Sequence, residues 1–67
     1  MKLHNNLKTL RAARKMTQAD LAMAVGVSRK TINTIENRVF VPSTVLALRI
    51  AQVLELPVED IFELSKE

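Results

Sequence analysis

Two adjacent cations, Arg29 and Lys30, are followed by Asn33 and Thr34, and at about 100° per residue the four fall within one helical arc of roughly 140°. These residue types suit hydrogen bonding to base edges. Arg and Lys can donate to guanine O6 and N7, Asn can pair with adenine N6 and N7, and Thr can touch a thymine methyl or a phosphate. Ile32 and Ile35 lie together on the other side, which leaves the polar arc free while the isoleucines face a core. Ser28 is a good N-cap, because its hydroxyl can accept from an orphan amide of the first turn. Arg29 and Lys30 then occupy the first two helical positions, where the helix dipole makes each cation unfavourable by roughly 0.3–1 kcal/mol. An anionic partner reverses that sign, since a phosphate or guanine edge there meets the dipole, the free amides and two cationic side chains together. The plain alternative for any such basic pair is a solvated surface.

A preceding helix must present this one. Thr17 with Asp20 approximates a capping box, Asp standing in for the usual Glu or Gln, and Leu21, Ala22 and Val25 form an apolar stripe. Gly26 ends that helix, since glycine reaches the left-handed conformation without a steric penalty, and Val27 packs back before Ser28 starts the next. Two short helices meeting at a glycine, the second opening on cations, outline a helix-turn-helix. Gln18, one place past the cap, can donate its amide to a phosphate or stand as an ordinary exposed glutamine.

The set Arg11, Thr17-Gln18, Leu21-Ala22, Gly26-Val27-Ser28, Ile32, Ile35-Glu36-Asn37, Pro42-Ser43 and Ile50-Ala51 resembles the phage repressor and Cro-like helix-turn-helix family, often called XRE-type regulators. The resemblance spans about residues 5 to 63. It implies an all-α fold, a compact five-helix bundle of the lambda repressor-like DNA-binding type, over residues 1–67 as one domain. The expected helices run from Asn5 to Lys15, Thr17 to Val25, Ser28 to Asn37, Ser43 to Leu54 and Val58 to Leu64. Leu3, Leu7 and Leu10 recur at helical spacing in the first, as do Leu46, Ile50 and Leu54 in the fourth. Pro42 and Pro57 mark the starts of the last two, with Glu59 and Asp60 well placed in a first turn. The expected core comprises Leu7, Leu10, Met16, Leu21, Ala22, Val25, Val27, Ile32, Ile35, Leu46, Ile50, Ala51, Leu54, Val58, Ile61 and Phe62.

The resemblance also assigns roles. Base contacts fall to Arg29, Lys30, Asn33 and Thr34, and phosphate contacts to Gln18, Ser28, Thr31 and Arg38. Arg11 and Glu36 form a buried structural ion pair, which gives Glu36 no catalytic part. Relatives often have Gly at the positions of Arg38 and Glu55, just past helix ends. A non-glycine residue is disfavoured there by roughly 1 kcal/mol, so these ends are expected to be capped differently.

Composition points to the same class of partner. Residues 1–38 hold eight Lys or Arg against two acids, whereas residues 39–67 hold two against five, and the basic half carries the helix-turn-helix. Such segregation suits release of counterions from a duplex. A chain of 67 residues with no cysteine has no disulfide framework and no thiolate metal site, and its small core calls for help from dimerisation. Phe40, Val45 and Leu48 lie outside the expected core and make a candidate homodimer surface; a two-fold dimer would bind an inverted repeat. No segment suits a membrane or a signal peptide, so the expected location is cytoplasmic. No cofactor, metal or small-molecule ligand is implied. His4 reads as a solvated residue, and nothing marks a catalytic centre. The expected activity is therefore that of a small transcriptional regulator, a repressor binding double-stranded DNA. An interaction module such as the antitoxin of a toxin-antitoxin pair is the alternative, because fold does not fix function.

Overall fold

Asn5 sets where the first helix begins. Its Oδ1 accepts from the Leu7 amide at 3.1 Å, and its Nδ2 donates to the Ile35 carbonyl at 2.9 Å, so the residue cannot continue into a helical turn. The computed structural model describes residues 1–66. The elements are β1 (Lys2–Asn5), α1 (Leu7–Ala13), α2 (Gln18–Val25), α3 (Arg29–Glu36), α4 (Thr44–Leu54), α5 (Val58–Ile61) and β2 (Phe62–Ser65). Strands β1 and β2 pair antiparallel, with Leu3 opposite Leu64 and His4 opposite Glu63.

The sheet corrects the all-α expectation. The first helix does not start at Asn5 or reach Lys15, and the fifth stops at Ile61 instead of Leu64. Leu3 fits a helical spacing with Leu7 and Leu10 but lies on the strand, and Phe62 changes backbone to extended values, φ −117° and ψ 141°. Pairing between the two ends of the chain supplies ladder hydrogen bonds that neither four-residue segment could form alone.

The remaining boundaries follow local chemistry. Thr17 and Asp20 complete a reciprocal capping box, with the Asp20 amide 3.0 Å from Thr17 Oγ1 and the Thr17 amide 2.9 Å from Asp20 Oδ2. Ser28 and Ser43 each accept from the amide three residues on, at 3.1 Å, to start α3 and α4.

Helices α1 to α4 end alike. Lys15, Gly26, Arg38 and Glu55 have φ of 57°, 89°, 60° and 57°, and the amide that follows each reaches back five residues, to Arg11, Ala22, Thr34 and Ala51. This is the Schellman arrangement, which satisfies the last free carbonyls of a helix. Arg38 and Glu55 thus adopt the left-handed conformation that a glycine would take without strain, contrary to the expectation of a different cap. The backbone bonds outweigh a penalty of about 1 kcal/mol at each, helped after Glu55 by the packing of Leu56 on the core.

Leu7, Leu21, Ala22, Val25, Ile32, Ile35, Ile50, Ala51, Leu54 and Ile61 make up the buried cluster; Leu10, Met16, Val27, Leu46, Val58 and Phe62 pack against it, as do Val53 and Leu56. The core thus draws on all five helices and clamps α3 through Ile32 and Ile35. Arg14 adds a tie across the bundle, its Nη2 donating to the Leu54 carbonyl at the end of α4 at 2.6 Å.

Candidate nucleic-acid interface

With Ile32 and Ile35 at 0% and 1% exposure, the rotation of α3 about its axis is fixed, and the opposite arc must face solvent. Arg29, Lys30 and Asn33 are exposed and together line a shallow concavity of about 300 Å³. Among the described residues the one ion pair joins Arg11 and Glu36, so no carboxylate neutralises Arg29 or Lys30. Thr34 is half-buried and turned back on its own helix: its hydroxyl lies 3.0 Å from the carbonyls of both Lys30 and Thr31. That leaves its methyl group as the part able to meet a ligand.

A chain of hydrogen bonds runs under this surface and sets the first turn of α2 against α3. Arg11 Nε donates to Glu36 Oε2 at 2.7 Å and Nη2 donates to Oε1 at 3.1 Å, a bidentate pair, while Nη1 donates to the Met16 carbonyl at 2.8 Å. Side-chain exposures of 12% for Arg11 and 4% for Glu36 make it largely desolvated. Gln18 Nε2 donates to Glu36 Oε1 at 3.0 Å, and Gln18 Oε1 accepts from Asn33 Nδ2 at 3.4 Å. Gln18 is thus a link between the buried pair and the polar arc. Burial pushes the Glu36 pKa up, but hydrogen bonds from Arg11 and Gln18 and the charges of Arg11 and Lys8 hold it below its ordinary 4.5. Glu36 stays ionised, and no buried side-chain polar atom among the described residues lacks a partner.

Ser28 and Thr31 share the N-terminal end of α3, their hydroxyls 2.9 Å apart. Arg38 lies past the C-terminal end, with Nη1 2.7 Å from His4 Nδ1. His4, read from sequence as solvated, is half-buried, and its Nε2 lies 3.0 Å from Ser65 Oγ. No local signal marks this contact, because strand pairing brings Ser65 to His4 across the whole chain. Asn37, part of the motif set but given no role from sequence, donates its Nδ2 to the Asn33 carbonyl at 3.0 Å and to Asn33 Oδ1 at 3.2 Å, steadying that side chain.

Phe40, Val45 and Leu48 are 46%, 67% and 48% exposed. Val39 stands out among the residues that follow the left-handed positions. Met16, Val27 and Leu56 pack on the core, whereas Val39 is 77% exposed and runs on into Phe40 and Val41. No helix among the described residues is long and apolar enough to cross a membrane, and no group of potential metal ligands gathers among them.

A helix-turn-helix family model matches residues 7–61. The chain is 47% identical over 60 residues to an uncharacterised HTH-type transcriptional regulator of Methanocaldococcus jannaschii, covering 90% of this chain and 91% of that one. It is 40% identical over 65 residues to the HTH-type transcriptional regulator YgzD of Bacillus subtilis, covering 97% and 98%. Among solved structures it is similar to the restriction-modification controller protein C.AhdI from Aeromonas hydrophila, with a TM-score of 0.77, 28% identity and coverage of 81% and 82%. The turn at Gly26, the exposed polar arc of the capped helix α3 and these near full-length matches agree: the chain belongs to the XRE-type helix-turn-helix family of transcriptional regulators.

Proposed function

We propose that this chain is a cytoplasmic repressor that binds double-stranded DNA in a sequence-specific manner, as a homodimer on an inverted-repeat operator. The observation that carries the reading is the pair Arg29 and Lys30 at the first two positions of α3, exposed and without a carboxylate partner among the described residues. In the free protein they oppose the helix dipole; against a duplex they, the dipole and the amides all attract. With α3 in the major groove, Arg29, Lys30 and Asn33 meet base edges and Thr34 offers its methyl group. Gln18, Ser28, Thr31 and Arg38 flank the arc and touch phosphates, which fixes register without reading sequence.

Arg38→Ala separates these roles. Fluorescence anisotropy over a salt series is expected to show weaker binding to every duplex, a slope of log affinity against log salt lower by about one per subunit, and unchanged base preference. A changed preference at one base position would contradict the assignment.

The dimer reading rests on the exposed apolar run Val39-Phe40-Val41 with Val45 and Leu48. Two-fold symmetry through this patch would set two α3 helices about 34 Å apart, one turn of B-DNA. Sedimentation at micromolar concentration is expected to show a dimer, and Phe40→Ser a monomer of unchanged helical content with weakened operator binding. A wild-type monomer, both free and on DNA, would rule the surface out.

A further inference from the structure

Arg38 is held by an unusual partner. A guanidinium has donors only, so the Arg38 Nη1 contact at 2.7 Å requires a lone pair on His4 Nδ1. The imidazole proton then sits on Nε2, which donates to Ser65 Oγ at 3.0 Å. The Arg38 contact alone sets this tautomer, and the Ser65 hydroxyl, able to donate or accept, takes the role the ring leaves it. The relay joins both terminal strands to the loop after α3, and the side chains sharing that face of the sheet are Lys2 and Glu63, opposite Ser65 and His4 respectively. No carboxylate lies within ion-pair distance of Arg38 among the described residues.

A carboxylate would hold Arg38 more firmly, but it would cancel the charge that a phosphate must feel. A neutral imidazole orients the guanidinium and leaves its charge and its other donors available. We propose that His4 is a positioning residue for DNA binding: with Ser65 behind it, it holds Arg38 ready to receive a backbone phosphate at the end of the recognition helix. This rests on the DNA-binding reading above. Ordering a free arginine on binding lowers affinity by a factor of roughly 2 to 10, and the relay meets that cost during folding.

The test is a double-mutant cycle on a labelled mixed-sequence duplex, since a phosphate contact does not depend on sequence. His4→Ala is expected to weaken binding about 2- to 10-fold while leaving the salt slope unchanged, because the Arg38 charge remains. Ser65→Ala gives a smaller loss in the same direction. His4→Asn keeps an amide oxygen near the place of Nδ1 and is expected to bind within about twofold of wild type. In an Arg38→Ala background, His4→Ala should change nothing further. An equal loss in that background, or a loss for His4→Asn as large as for His4→Ala, overturns the positioning role. Wild-type protein that leaves the duplex unbound at low salt overturns the DNA-binding reading itself, whereas binding without His4–Arg38 coupling overturns the positioning role alone.

Discussion

Replacing Glu36 with Ala is expected to lower folding stability by about 3 kcal/mol, the lower end for breaking a buried ion pair. Arg11 would keep its charge with only 12% of its side chain exposed, retaining one bond to the Met16 carbonyl. Gln18 would lose its acceptor as well. Arg11 can relieve part of the penalty by swinging toward water, which is why the larger figure of about 5 kcal/mol is not expected. For a domain this small, such a loss removes much of the total stability. Urea unfolding measures it directly; a change under about 1 kcal/mol would show that the pair is not desolvated in solution.

The same pair gives stability a pH dependence of known sign. The folded-state pKa of Glu36 lies below its ordinary 4.5, so the unfolded chain takes up the proton first as pH falls. The stabilisation is full above about 4.5 and is lost as pH drops through the lower folded-state value. Asp20 adds to this limb, because hydrogen bonds from the Thr17 amide and then the Thr17 hydroxyl lower its pKa also. Glu36→Gln should flatten the acid limb without abolishing it.

Arg29→Ala is expected to move stability and binding in opposite directions. Removing a cation from a helix N-terminus should leave stability unchanged or raise it by a few tenths of a kcal/mol. Discrimination at one position of each half-site should fall by about 1–3 kcal/mol. Destabilisation above about 1 kcal/mol with specificity intact would make Arg29 structural.

What could be read from the sequence was the part specified locally. Thr17, Asp20, Gly26, Ser28 and Ser43 cap helices with groups a few residues away, so α2, α3 and α4 fell within a residue or so of their observed ends. The two strands escaped because each is four residues long and is stabilised by the other end of the chain. Leu3 and Phe62 even extended the helical patterns beside them. The left-handed backbone at Arg38 and Glu55 was hidden for a related reason: backbone bonds back to Thr34 and Ala51 impose it on residues that do not favour it. The outward arc of α3 was legible from Ile32 and Ile35, whereas the contacts of Gln18 and His4 with other elements were not.

Selection of bound sequences from a random duplex pool tests the central claim most directly. Wild-type protein should enrich an inverted repeat whose half-sites are one helical turn, about 34 Å, apart, and Arg29→Ala protein should enrich the same repeat with one position of each half-site relaxed. A pool with no enriched sequence, or one enriched identically by both proteins, would contradict the assignment of α3 as the reading helix.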